Sequence, residues 1–404
     1  MEIYLVGGSV RDKLLGKLPN DLDYVVLGSK RSELLELGYK SVGKGFEVFL
    51  KNGNEYALAR TEKSTGISHT DFTCNYEQVS LKEDLSRRDL TINAMAEDKN
   101  GQIIDYFGGQ KDLENKTLRH INNAFADDPL RVLRVARFAA ELGFRVDAST
   151  LELMRQIVNG GMLEHLTPGR VWKETERALA AKNLRKYFEV LDSCGALQVV
   201  FPELYALKGI AQPAKYHPEG DAWQHTLLVL DEITKYSNDP VTRFGALVHD
   251  IGKAIKPMYA HPENGVVIVK QMAKRLKLPR KYKEMGVLAA GYHMYFHKLN
   301  ELKASTILKW FGYARAYRNK SRFKQLLFIS LADNNGRGQS ENIKSSLGFK
   351  KLNLIMEMLA EIDRIDYKEL QITAKTQNHF LQLIHKKRLG IIKTKQAKLK
   401  NLEN

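Results

Sequence analysis

The chain has 404 residues, 43% hydrophobic and 27% charged, and its 63 lysines and arginines against 47 acids give a net charge of +16. That length exceeds one core and predicts two to four domains of ordinary globular composition. The lack of any apolar run of about eighteen residues excludes a membrane-spanning helix, and two cysteines without metal spacing, Cys74 and Cys194, exclude a disulfide scaffold.

The basic excess, dense in 274–283 and 386–400, favours a polyanionic partner such as nucleic acid or nucleotides. The opening Met1–Val6 lacks a basic leader segment, so the cytosol is the expected address.

In chain order, residues 1 to about 110 alternate strand and helix patterns. Strands are expected at Ile3–Val6, Asp23–Leu27, Glu47–Leu50, Tyr56–Arg60 and Gln102–Asp105, with helices at Val10–Leu15, Arg31–Leu37 and Arg88 to about Ala96. From about 111 the strand signals stop. Helical periodicity then runs through Leu130–Leu142, Ala148–Asn159, Val171–Ala181 and Leu184–Cys194. This predicts an α+β protein with four parts: an α/β head (1–110), a helical neck and body (111–220), a helical region rich in histidine (221–340) and a basic helical tail (341–404).

Chemistry concentrates in four places. The first strand feeds Gly7-Gly8-Ser9-Val10-Arg11-Asp12, and the second carries Asp21 and Asp23, which strand alternation places on one face. Either feature alone is a turn or a solvated edge. Together, paired carboxylates beside a glycine turn can hold Mg²⁺ with the phosphates of a nucleotide, and Arg11 can complement their charge. Glu55 is a third carboxylate that can assist an attacking hydroxyl, and fits an ordinary strand-edge acid equally well. Next, Arg87-Arg88-Asp89 with Asn93 places Arg88 for phosphate or ribose contact and Asp89 and Asn93 as its positioners; the alternative is a solvated face.

In Asp127-Asp128-Pro129-Leu130-Arg131, Asp128 suits a helix cap and Pro129 its first position. Arg131, Arg134 and Arg137 form a basic stripe opposite Leu133, Ala136 and Ala140, which stands either as a solvated stripe or as a ligand face. A carboxylate and a guanidinium one turn apart can read a base edge, the carboxylate accepting from an exocyclic amine.

These three motifs, over residues 1 to about 200, resemble those of the class II tRNA nucleotidyltransferases, the CCA-adding enzymes within the polymerase β-like superfamily. The resemblance implies a head, neck, body and tail layout, with Mg²⁺ on Asp21 and Asp23. It implies ATP and CTP contacts at Gly8, Arg11, Arg88, Arg134 and Arg137, base reading by Asp128 and Arg131, and tRNA as partner. Asp127 stands where Glu is common in that family, with charge kept. No membrane partner is expected, and the chain is expected to act as a monomer or homodimer.

The fourth constellation is His225 at a helix start, His249-Asp250 closing the apolar run from Phe244, and Asp333. A lone helical histidine is more often structural. This mixed imidazole–carboxylate set suits a hydrolytic divalent metal. It resembles the HD-type phosphohydrolase domain appended to CCA-adding enzymes of some bacteria. That implies Ni²⁺, Mn²⁺ or Mg²⁺ and phosphatase or 2′,3′-cyclic phosphodiesterase activity. His261 and His293 can complete the set, although the loop around Tyr259–Asn264 is thinner in histidine than in such domains.

Alternatives of other classes are a poly(A) polymerase or A-adding-only relative, a hydrolase with a vestigial head, and a non-catalytic tRNA-binding scaffold.

Overall fold

A computed structural model describes residues 1–19, 21–42, 47–64, 72–214, 217–255, 260–337 and 341–403. The chain divides into two units, Met1–Val200 and Phe201–Asn404.

The first unit opens with β1 (Glu2–Val6), α1 (Gly8–Leu14), β2 (Asp23–Leu27), α2 (Arg31–Glu36), β3 (Lys40–Val42), β4 (Val48–Lys51) and β5 (Asn54–Leu58). A hairpin of β6 (Thr61–Ser64) and β7 (Phe72–Asn75) follows, then α3 (Leu81–Ser86), β8 (Met95–Glu97) and β9 (Ile103–Asp105). Seven strands make one sheet in the order β3-β4-β5-β2-β1-β8-β9. Within it β2 and β5 run parallel and the other neighbours antiparallel. Alternation sends Val6, Val25 and Ala96 to one face, against Leu81 and Leu85 of α3. It sends Val26 and Phe49 to the other, against Leu34 of α2.

The expected helix from Arg88 to about Ala96 does not form. Every residue from Asp89 to Glu97 is buried, apolar and polar alike, so the segment has no exposed helix face, and the short 3₁₀ turn Thr91–Asn93 leads into β8. The polar residues of the segment bind backbone, each other or the buried Asp112. Asp89 Oδ1 accepts from the Leu90 N–H and from Asn93 Nδ2, and Thr91 Oγ1 donates to Asp112, which competes with helical hydrogen bonding.

The unit continues with α4 (Gly109–Glu114), β10 (Thr117–Leu118), α5 (Leu130–Leu142), β11 (Arg145–Val146), α6 (Ala148–Asn159), α7 (Pro168–Ala180), α8 (Leu184–Ser193) and α9 (Ala196–Val200). Strand structure therefore does not stop at 111: β10 and β11 pair in parallel.

The second unit is helical among its described residues: α10 (Pro202–Tyr205), α11 (Ala222–Tyr236), α12 (Pro240–Val248), α13 (His261–Arg275), α14 (Arg280–His297), α15 (Ala304–Tyr313), α16 (Lys320–Asn335), α17 (Glu341–Asp363), α18 (Tyr367–Thr373) and α19 (Gln377–Glu403). One core joins Trp310, Phe311 and Phe323 of α15 and α16 to Ile355 and Leu359 of α17 and Ile392 of α19. No described helix is long and apolar enough to cross a membrane.

Candidate active sites

In the first unit, Gly7 sits at φ 73°, a left-handed conformation that glycine adopts freely. A Cβ there would lie 2.8 Å from Arg88 Nη1, so the turn lets Arg88 pack directly on it. Beyond the turn, Ser9 Oγ donates to the Asp21 carbonyl at 2.9 Å and accepts from the Asp23 N–H at 3.2 Å. This corrects the strand-alternation argument for the acid pair. Asp21 lies in the bend before β2, and Ser9, rather than a shared pleat, fixes the segment that carries both carboxylates. Glu55 stands opposite Asp23 in the parallel register of β2 and β5, on the same face. Burial raises the Asp23 carboxyl; Arg88 opposes the shift and Asp21 adds to it.

Gly7, Gly8, Arg11, Asp23, Arg88, Asp128, Arg131, Arg134 and Arg137 all line one cavity of about 470 Å³, together with Arg87, Asp89, Asn93, Phe138, Arg170 and Arg177. Asp21 and Glu55 are outside its lining.

The floor of the cavity is a chain of alternating charges. Arg11 Nη1 donates to Asn93 Oδ1 at 2.7 Å, Asn93 Nδ2 to Asp89 Oδ1 at 3.0 Å, and Arg134 Nε to Asp89 Oδ2 at 2.8 Å. Arg137 donates to Glu174 and to Glu141, both at 2.5 Å. The predicted basic stripe on α5 is therefore uneven. Arg137 is 1% exposed and its guanidinium lies 4.0 Å over the Phe138 ring, so it is neither a solvated residue nor an open phosphate ligand. Burial pushes the Asp89 carboxyl up, but Arg134 and Asn93 together hold it well below the usual carboxylate range. Arg88 Nη2 reaches Asp84 Oδ2 at 3.3 Å, while its buried Nε has no partner.

The proposed base readers are also held. The cap differs from the expected one: α5 starts at Leu130, and Asp128 Oδ1 accepts from the Leu130 N–H at 3.1 Å. Asp128 Oδ2 accepts from Arg170 Nη2 at 2.8 Å. Arg131 donates to the carbonyls of Ala124 and Arg87 at 2.8 and 2.5 Å. Sequence reasoning missed Ser9 as a positioner, and Arg170, Glu174 and Asp84 as cavity partners. The signal for the last three is weak, because lone charges on α3 and α7 read as solvated faces.

In the second unit, five elements bring the histidines together. His225 sits on α11, His249 and Asp250 follow α12, His261 opens α13, His293 lies on α14 and Asp333 on α16. Gly252 makes room for this: a Cβ would lie 1.9 Å from the His261 carbonyl. Asp250 turns its two oxygens to different imidazoles. Oδ2 lies 3.3 Å from His249 Nε2 and 3.7 Å from His225 Nε2, and Oδ1 lies 3.4 Å from His293 Nε2 and 3.7 Å from His261 Nε2. Asp333 Oδ1 is 3.1 Å from His225 Nε2.

The outer nitrogens are anchored, His225 Nδ1 on Glu219 at 2.9 Å, His249 Nδ1 on the Ala246 carbonyl and His293 Nδ1 on the Ala289 carbonyl. Each ring therefore turns Nε2 inward. Among the described residues, His249 Nε2, Asp250 Oδ1, His261 Nε2 and His293 Nε2 are buried with no hydrogen-bond partner. Burial, against Asp250, pushes His261 down to about 4, so it is neutral near pH 7 and able to ligate. Four inward donor atoms without partners fit a divalent cation. A cavity of about 310 Å³ opens onto the cluster, with Lys253 and Arg337 on its wall. His217, Glu219 and His297 were missed from sequence, and the His297 contact to Asp333 at 2.5 Å joins residues far apart in the chain.

Comparison with known proteins finds family matches in both units. Residues 3–119 match the family model of the poly A polymerase head domain. Residues 143–207 match that of a probable RNA and SrmB-binding site of polymerase A, and residues 222–334 the HD domain. The multifunctional CCA protein of Shewanella denitrificans is 50% identical over 349 residues, covering 83% of this chain and 84% of that one. The multifunctional CCA protein of Haemophilus influenzae is 44% identical over 92% of both chains. A crystal structure of a tRNA nucleotidyltransferase complexed with a primer tRNA and an incoming ATP analog is 26% identical, with TM-score 0.57 over 90% of this chain and 96% of that one. With relatives at this identity aligned over more than four-fifths of each chain, the chain belongs to the multifunctional CCA protein family.

Proposed function

We propose that the protein completes the 3′ end of tRNA with C, C and A, taking CTP and ATP and using no nucleic-acid template. The observation that carries this reading is the single cavity in which the Gly7-Gly8 turn, Asp23 and Arg88 face Asp128 and Arg131. Phosphate-side and base-side groups share one volume, as a nucleoside triphosphate requires. In this reading residues 1–110 are the nucleotidyltransferase head, 111–220 the neck and body, 221–340 the HD domain and 341–404 a basic tail that helps hold tRNA, with the cytosol as the site of action.

Asp21 and Asp23, with Glu55 beside them, offer the hard oxygen ligands that Mg²⁺ takes, and a raised Asp23 next to a second carboxylate fits a position that a cation neutralises. Mg²⁺ when bound there screens the triphosphate and favours ionisation of the attacking hydroxyl. The chain's own residues do the rest. The Gly7-Gly8 turn brings backbone close to the phosphates, and the Arg88 guanidinium, packed on that turn at the cavity wall, complements phosphate or ribose. Arg11 and Arg134, set by Asn93 and Asp89, add positive charge along the cavity floor. The tRNA 3′-hydroxyl attacks the α-phosphorus in line, Glu55 is placed to take its proton, and pyrophosphate leaves. Asp128 accepts from the exocyclic amine that cytosine and adenine share, where uracil and guanine carry an oxygen, and Arg131 donates to the adjacent ring nitrogen.

The second unit gives the protein a separate, metal-dependent hydrolysis of phosphomonoesters or 2′,3′-cyclic phosphates. His225, His249 and Asp333 form one triad and Asp250, His261 and His293 a second, each with ligand atoms within 4.8 Å of one another, and these would hold the divalent metal that supplies Lewis acidity. A nitrogen-rich set favours Ni²⁺ or Mn²⁺ over Mg²⁺. Lys253 and Arg337, which pair with Asp250 and Asp333, line the cavity and add positive charge for a substrate phosphate.

Incorporation assays test the first activity. tRNA lacking its terminal CCA, given CTP and ATP, is expected to gain three nucleotides. ATP-only tailing of generic RNA would instead make the protein a poly(A) polymerase or an A-adding relative. Phosphatase assays with each of the three metals test the second activity, and no metal-dependent hydrolysis with any of them would leave the domain structural.

A further inference from the structure

The base-reading carboxylate has a partner that the reaction does not call for. Asp128 binds the Leu130 N–H through Oδ1 and Arg170 Nη2 through Oδ2, the latter at 2.8 Å with both side chains less than a quarter exposed. Arg170 comes from α7, on the far side of the motif in sequence, and all three residues lie on the wall of the nucleotide cavity. Near the start of α7, its backbone N–H is tied to the Thr167 carbonyl.

Resting on the reading of the cavity as a CTP and ATP site, we propose that Arg170 is a positioning residue for base selection, bracing the Asp128 carboxylate so that it offers an acceptor at one fixed place. An ionised carboxylate has about four acceptor positions. Leu130 and Arg170 occupy one on each oxygen and thereby fix the rotation of the group about its last bond. The positions left over are the ones that meet the exocyclic amine. Selection against uracil and guanine depends on that fixity. A carboxylate free to turn away from a carbonyl oxygen no longer repels it, and the wrong base loses less binding than it should. The pairing also occupies a guanidinium N–H that would otherwise donate to the same carbonyl oxygen. The brace thus acts on both sides of the discrimination.

The test measures kcat/KM for CTP and for UTP on tRNA ending just before CCA, in the full-length wild type, Arg170→Ala and Arg170→Lys, with thermal midpoints recorded beside them. The expected result is a CTP-over-UTP ratio lowered about tenfold in Arg170→Ala, the scale of one good base contact. Arg170→Lys should restore part of it, since a lysine can still reach the carboxylate. KM rising equally for both nucleotides at an unchanged ratio would make Arg170 a phosphate contact and overturn the brace. KM falling at an unchanged ratio would make it a competitor for the base and overturn it too. A lowered thermal midpoint with the ratio intact would reduce the pair to packing. A wild type that does not prefer CTP would remove the base-reading assignment itself, an outcome distinct from the other three.

Discussion

In and around the first unit's cavity, carboxylates already have cations against them: Asp84 with Arg87 and Arg88, Asp89 with Arg134, Asp128 with Arg170, Glu174 with Arg137. In the second unit's cluster, His249 Nε2, His261 Nε2, His293 Nε2 and Asp250 Oδ1 face one another without hydrogen-bond partners. The first arrangement is largely self-satisfied, so the cavity holds its shape before a nucleotide arrives. The second is only partly paired: Lys253 meets Asp250 Oδ2 at 2.5 Å and Arg337 lies 3.5 Å from Asp333 Oδ1, while the inward lone pairs that remain, buried against each other, cost free energy that a bound ion recovers. Preorganisation and metal dependence thus divide between the two units, and substitutions should separate them.

The largest effect is expected at the acid pair. Asp21→Ala should lower CTP and ATP incorporation by roughly a thousandfold through loss of the Mg²⁺ ligand, while tRNA binding, read by filter retention or anisotropy, is kept. Turnover near the wild-type rate would refute the metal assignment. Next in size, His249→Ala should abolish metal-dependent hydrolysis and leave nucleotide incorporation unchanged. In the wild type a divalent ion at about 100 times its Kd should stabilise the second unit by about 2.7 kcal/mol, seen as a raised thermal midpoint that the variant lacks. Equal metal stabilisation of both proteins would show that the cluster is not the binding site.

The smallest effect concerns the paired carboxylates. Burial raises the Asp84 carboxyl, but Arg88 and Arg87 outweigh it and hold the group below its ordinary value. A depressed folded pKa contributes stability that is present above the unfolded carboxylate pKa, about 3.9, and is lost as pH falls through the folded value. Asp84→Asn should therefore melt lower than wild type at pH 7, by a gap that shrinks on acidification below about pH 4. A gap constant with pH would assign the loss to packing rather than charge.

Much of this was legible in the sequence, for identifiable reasons. β1 and β2 are legible as short β-branched and aromatic apolar runs bounded by glycine and α5 as a long amphipathic period, and His249-Asp250 stands out because it ends an unbroken apolar run. The segment 88–96 was misread because its alternating apolar residues are few and its polar residues, Asp89, Thr91 and Asn93, fit a helix face as well as a turn. The hairpin of β6 and β7 went unseen for want of a long apolar pattern. At the sites, the motif residues were visible and their partners were not. Arg170, Glu174 and His297 act across long sequence distances, and a single charged residue on a helix carries no mark of what it meets in space; Glu219 meets His217 and His225 close by in sequence, but in a loop without periodicity to mark it. Ser9 was in view, yet its contact with the Asp21–Asp23 segment depends on how α1 and β2 are set against each other.

The central claim, that one protein-lined cavity chooses C and then A, is tested most directly by incubating the protein with CTP and ATP and three tRNA substrates, ending before, within and after CCA. The account predicts addition of C, C and A to the first, only the missing nucleotides to the second, and none to the third. Continued addition of A to the complete tRNA, or equal use of UTP and GTP at any position, would contradict it.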